Sequence, residues 1–218
     1  MKKRKLAYLL YPKPIALLDS LNKNPVFERF VAVTFESRQQ VPNRFAMYEV
    51  VNREVAGPID FLELGVWKGE SLTFWTTLNP HPESRFFGFD SFEGLPETWT
   101  DASKLGAFST LGQVPRLNDH RVRCIKGLFQ SSLRPFLKSF TPRNRLIVHI
   151  DSDLYSSALF VLTTFDELLI SDSVVMFDEF YDLRNEFDAW CDYSKAFYRK
   201  ANGLAFTPDY AQVALKIL

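Results

Sequence analysis

The chain is poor in several things, and each shortage excludes something. It has 218 residues but only 2 cysteines and 3 histidines. Cys124 and Cys191 lie far apart, with no CxxC and no Cys/His metal spacing. A disulfide scaffold and a zinc module are therefore excluded. Reduced thiols in the cytoplasm are the expectation. There is no excess of either charge, with 26 basic and 26 acidic side chains. Sequence-wide nucleic-acid binding would need a basic surface, so no nucleic-acid partner is expected. No apolar run approaches the roughly 18 residues of a membrane span, so no membrane is expected either. The start, Met1 to Leu10, imitates a signal peptide. Pro12-Lys13-Pro14 interrupts it and no small-residue cleavage site follows, so it reads as a basic tail leading into a helix. Neither the phosphate loop GxxxxGK[ST] nor the dinucleotide fingerprint GxGxxG occurs.

What is present is a well-mixed globular composition, 46% hydrophobic and 24% charged, in a length that suits one domain. Residues 1–57 read as a helical segment that covers a site or forms a homodimer contact. Phe45, Tyr48, Val51 and Val55 recur at three and four, a helical stripe that Gly57-Pro58 ends. From 58 to 218 the pattern changes. Short apolar runs at 59–64, 85–89, 121–125, 146–150 and 173–177 read as strands. Helical stretches at 70–78, 131–139, 156–169 and 185–199 alternate with them, and Ser156 reads as the cap of the third. The last fifteen residues read as a terminal strand pair around Pro208-Asp209. Such alternation predicts an α/β doubly wound, mostly parallel sheet. The stretch from Ser91 to His120 is far too long for an ordinary strand-to-helix loop. It reads as an active-site lid or as a helix-bearing insertion over the sheet.

In such sheets ligands bind beyond the carboxyl ends of the strands. The first end reads Glu63-Leu64-Gly65-Val66-Trp67-Lys68-Gly69-Glu70-Ser71, a glycine-flanked turn into a helix. The second carries Asp90, placed to accept both hydroxyls of a ribose. The later ends carry Asp151-Ser152-Asp153 and Asp178-Glu179. Asp151, Asp178 and Glu179 would repel one another unless a hard cation such as Mg²⁺ lay between them. Asp153 reads as a helix cap.

The runs Phe89-Asp90-Ser91-Phe92-Glu93-Gly94-Leu95-Pro96 and His149-Ile150-Asp151-Ser152-Asp153-Leu154-Tyr155, with the glycine turn, Lys126-Gly127-x-Phe129 and Phe177-Asp178-Glu179, occur in order. This set resembles the class I S-adenosylmethionine-dependent O-methyltransferases, and most the macrocin (TylF-like) O-methyltransferases. The resemblance implies a Rossmann-like sheet with a reversed C-terminal hairpin. It implies that Glu63, Gly65, Gly69 and Ser71 line the methionine end of S-adenosylmethionine, and that Asp90, Ser91 and Phe92 flank the nucleoside. Lys126, Gly127 and Phe129 would pass the adenine. Asp151, Asp178 and Glu179 would hold Mg²⁺, with Asp151 also touching the cofactor. The acceptor would be a small-molecule hydroxyl of a sugar or natural product. Trp67 stands where the commoner motif has its middle glycine, and Leu154 where catechol-type relatives carry a lysine base. Asp151 and His120 are the candidate catalytic residues, while His149 reads as a buried strand histidine. Two rival readings are a metal-dependent DxD phosphatase or nucleotide-sugar transferase, and a non-catalytic protein of the same fold. Only 67 residues follow Asp151 (218 − 151), too few for the remaining phosphatase motifs.

Overall fold

The computed structural model describes residues 25–218. The basic stretch at the start lies outside the described residues. Helix α1 covers 25–34. Then come β1 (Gln39–Gln40), α2 (Arg44–Val55), β2 (Ile59–Leu64), α3 (Glu70–Leu78), β3 (Arg85–Asp90) and β4 (Val122–Lys126). After these come α4 (Phe129–Leu137), β5 (Arg145–Ile150), α5 (Tyr155–Thr164), β6 (Val174–Phe177), α6 (Glu186–Ala196), β7 (Ala201–Phe206) and β8 (Val213–Ile217).

The eight strands form one sheet in the order β1-β7-β8-β6-β5-β2-β3-β4. Strand β8 runs antiparallel to both β6 and β7, and the other pairings are parallel. The reversed terminal hairpin is therefore present. The segment before Gly57 is built into the same body: β1 pairs with β7, and α2 packs its buried Met47, Tyr48, Val51 and Val55 against the sheet.

The apolar runs are central strands because both of their faces are covered. Side chains alternate between two cores. Leu62, Leu64, Val148, Ile150 and Phe177 face α1 and α4 to α6, while Phe61, Ile147 and Met176 face α2 and α3. By the same alternation Glu63 and His149 point to the α2 face. At the amino edge of the sheet Asp60 is fully buried. It accepts two hydrogen bonds from Arg85, both at 2.7 Å, and one from the Arg143 amide at 2.7 Å. That clamp ties β2 to β3 and to the entry of β5, away from the ligand edge.

Two expectations are corrected. Ser156 does not cap the helix after β5. Helix α5 begins at Tyr155, and Asn185 Oδ1 accepts its amide at 3.0 Å, so the cap comes from the next helical segment. The stretch from Ser91 to His120 holds no helix, which removes the reading of a helix-bearing insertion. Among the described residues no helix is long and apolar enough to cross a membrane.

Candidate active site

The carboxyl ends of β2, β3, β5 and β6 open into one pocket, closed above by the long connection after β3. The turn after β2 forms its floor. Gly65 has φ +105 because β5 passes close: a Cβ there would sit 1.8 Å from the Asp151 carbonyl oxygen. The glycine is required by that backbone approach. Gly69 is likewise committed to the protein, at φ +78 under Leu117 and Pro115.

Asp90 holds this turn. Its Oδ2 accepts the amides of Val66 at 2.9 Å and Trp67 at 2.8 Å, and its Oδ1 that of Phe92 at 2.7 Å. A carboxylate offers about four acceptor positions. Three are taken, so one remains on Oδ1 for a ligand hydroxyl, where two had been expected.

Beyond β5 and β6 the acids converge. Register sets Asp151 beside Asp178, since Ile150 pairs with Phe177. One polar atom each of His149, Asp151 and Asp178 lies within 4.8 Å of the others. Asp178 Oδ1 is buried and has no hydrogen-bond partner. Glu63 pairs with His149 across β2 and β5, and its Oε1 meets His149 Nδ1 at 3.1 Å. The other ring nitrogen faces Tyr48 Oη at 3.4 Å and Asp178 Oδ1 at 3.9 Å. Loss of water at the pocket wall, then the charges of Asp178 and Glu63, hold the Asp151 carboxyl well above the usual carboxylate range. Burial, then Glu179, Asp178 and Asp182, push Asp153 up to about 7. A cluster of carboxyls that resist ionisation is the donor set a divalent cation would relieve. Glu179 lines the pocket but falls outside the group of three, and its own carboxyl is raised by burial.

Of the residues singled out from the sequence, Gly65, Ser71, Asp90, Ser91, Gly127, Phe129, Asp151, Asp178 and Glu179 line this one pocket. Four others stand behind it. Glu63 is buried against His149, and Gly69 underlies the lid. The Phe92 ring is buried at φ 58, and Lys126 pairs with Glu93 at 2.8 Å. His120 is corrected outright as a catalytic base. It precedes β4, whose other end reaches the pocket, so the strand's length of roughly 16 Å separates them. The neighbouring Arg121 guanidinium donates to carbonyls at 76, 79 and 81, around the far end of α3.

Three charged residues of the pocket were missed: Arg44, Glu70 and Asp153. Arg44, the first residue of α2, lines it, and no pattern in the sequence distinguishes this arginine from its neighbours. Asp153 lines it too, at φ 60, instead of capping α5. Its signal was the i, i+2 spacing from Asp151.

A mostly parallel sheet with a glycine turn after one strand, an acid after the next and carboxyls after two more defines a class: α/β enzymes that hold a nucleoside-bearing cofactor at the carboxyl edge. The macrocin O-methyltransferase (TylF) family model matches residues 31–205. The chain belongs to that family and is an S-adenosylmethionine-dependent O-methyltransferase. Among solved structures it resembles CalS11, a calicheamicin methyltransferase, at 22% identity over 98% of this chain and 90% of that one, with a TM-score of 0.63. It resembles the O-methyltransferase NovP at 21% identity over 79% and 78% of the two chains, with a TM-score of 0.60. An O-methyltransferase from Bacillus cereus, solved with S-adenosylhomocysteine, aligns at 14% identity over 99% and 96%, with a TM-score of 0.52. At these identities the likeness is one of fold. None of the curated proteins matches the chain. The family sets aside the phosphatase and nucleotide-sugar transferase readings.

Proposed function

We propose that this enzyme methylates a hydroxyl of a sugar or sugar-bearing natural product, with Mg²⁺ held by Asp151 and Asp178. The observation that carries the metal is the buried Asp178 Oδ1, which has no hydrogen-bond partner, in a residue grouped within 4.8 Å of Asp151 and His149. When bound, S-adenosylmethionine offers an electrophilic methyl on sulfur, and Mg²⁺ offers Lewis acidity that eases loss of the acceptor's proton.

The chain's own residues do the rest. The acceptor oxygen must lie in line with the methyl carbon while the carbon–sulfur bond breaks, so orientation is the main task. Asp153 adds a further carboxylate to the lining, two residues after Asp151, where it can take the acceptor's proton. The lid is tied down at two points. Trp99 Nε1 donates to Asp182 at 2.8 Å, and Ser156 donates to Glu97 at 2.6 Å. Trp67 and Phe108 meet edge to face at 6.1 Å and remain half exposed at the mouth. Such rings suit the C–H face of a sugar and keep water out. CalS11, similar in fold, is a TDP-rhamnose 3′-O-methyltransferase, which favours the same acceptor class.

The test is methyl transfer from labelled S-adenosylmethionine to a panel of nucleotide-linked sugars and glycosides. Transfer should stop in EDTA and return with Mg²⁺. Asp178→Asn should lose transfer while still binding S-adenosylhomocysteine. Full activity in chelator would refute the metal assignment. Labelling of non-sugar acceptors alone would refute the acceptor class.

A further inference from the structure

Six of the seven charged side chains lining the pocket are acids: Glu70, Asp90, Asp151, Asp153, Asp178 and Glu179. The seventh is Arg44, the one cationic side chain in the lining among the described residues. S-adenosylmethionine itself carries a sulfonium, an ammonium and a carboxylate. Acids can serve the first two groups. The carboxylate would be repelled by this pocket unless it met a positive charge.

Arg44 stands where that charge is needed. The cofactor reading gives the adenine and ribose to Gly127, Phe129 and Asp90, which line the pocket at the ends of β4 and β3. On that reading the methionine portion lies by Ser71, at the start of α3. Arg44 Nη2 reaches that start, donating to Glu70 Oε2 at 2.6 Å. Glu70 is an open surface side chain, 66% exposed, so it can leave for water when a ligand arrives. Arg44 Nη1 forms looser ion pairs with Asp178 and Asp151, at 3.7 and 4.0 Å, too long for hydrogen bonds. A guanidinium has five N–H donors in a planar fork, which matches a carboxylate in two-point fashion. Most of that fork therefore remains for a ligand. The first amides of α3 add partial positive charge at the same place.

We infer that Arg44 binds the α-carboxylate of S-adenosylmethionine, so that α2, from the segment before the methyltransferase strands, completes the cofactor site. This rests on the cofactor reading above. It also explains why β1 and α2 are built into the sheet: the segment delivers a binding residue as well as cover.

The experiment compares two ligands by calorimetry. S-adenosylhomocysteine carries the carboxylate, and 5′-methylthioadenosine lacks the whole amino-acid end. Arg44→Gln should weaken S-adenosylhomocysteine about 10- to 100-fold and leave methylthioadenosine within about twofold. Arg44→Lys keeps the charge but not the fork, and should fall between wild type and Arg44→Gln for S-adenosylhomocysteine alone; it serves as the test if the glutamine variant does not fold. Equal weakening of both ligands, or of neither, would overturn the assignment and leave Arg44 as a counter-charge to Asp151 and Asp178. A wild-type protein that binds neither ligand would overturn the cofactor reading itself, and the assignment with it.

Discussion

Asp90→Asn changes one oxygen of a carboxylate into an NH₂ group and leaves the shape of the side chain alone. Its effect can be worked from three distances. Oδ2 accepts from Val66 and Trp67 at 2.9 and 2.8 Å, and Oδ1 from Phe92 at 2.7 Å. The amide oxygen can replace only one of the two. Its better orientation keeps the Val66 and Trp67 pair and turns NH₂ toward the Phe92 amide, donor against donor. A hydrogen bond to a charged group is worth about 1.5–3 kcal/mol, and the two that survive lose their charge assistance. The variant should therefore be about 2–4 kcal/mol less stable. For a chain of this length each kcal/mol moves Tm by about 2–4 °C, so Tm should fall by roughly 4–16 °C. The acceptor position left on Oδ1 is also lost to the ribose, which should weaken S-adenosylhomocysteine by about 1–3 kcal/mol, or roughly 5- to 150-fold. Scanning fluorimetry and calorimetry at 20 °C would read both. A Tm within about 1 °C of wild type would refute the claim that Asp90 holds the glycine turn. A lower Tm with unchanged affinity would assign the residue to the turn alone.

Gly65→Ala should cost solubility or at least 10 °C in Tm, because its Cβ would overlap the Asp151 carbonyl oxygen at 1.8 Å; a soluble variant with wild-type Tm and affinity would refute that packing. Cys124 lies on β4, where burial first, then the charges of Glu63 and Asp90, push its thiol up to about 11. At pH 8 only about one thiol in a thousand is then ionised, against roughly a quarter for a free cysteine with a pKa of about 8.5. Alkylation of Cys124, followed by peptide mass spectrometry, should run roughly 200-fold slower than in a cysteinyl peptide and rise about tenfold per pH unit from 8 to 10. A rate that is already level at pH 9 would sink the claim.

Much of the sheet is legible because its signals are local. Ile59 to Leu64 and Leu146 to Ile150 are apolar on both faces, and only a strand covered on both sides requires that. Asp60, Glu63 and His149 are the exceptions inside these runs: Arg85 and the Arg143 amide satisfy Asp60, and Glu63 and His149 meet each other. The helix starts are less legible, because their caps are not local. The amide of Tyr155 is capped by Asn185, thirty residues on, and no reading of Ser156 could have found it. The two-residue β1 carries no signal of its own. Its pairing depends on β7 being present to receive it.

The site divides along the same physical line. Asp90, Asp151 and Asp178 were legible because each ends a strand or comes directly after one, and parallel strands deliver their carboxyl-end residues to one edge. His120 falls under the same rule from the other side, since it precedes β4. It closes the lid in sequence, but a residue at the amino end of a parallel strand belongs to the opposite edge. Glu63 and His149 could be seen as buried strand positions, yet their contact requires the register between β2 and β5, which neither strand encodes alone. Arg44 is the limiting case. A helix presents a different side chain every 100°, and which one meets the pocket depends on how the helix packs on the sheet. That packing is set by Met47, Tyr48, Val51 and Val55, which are legible as a stripe. Arg44 lies just before the stripe, next to the Asn43 cap, so its direction is fixed by the stripe only once the sheet beneath is known. Residues carried by strand ends can thus be read from order along the chain. Residues brought in by a packed helix become readable only after the tertiary contacts that orient it.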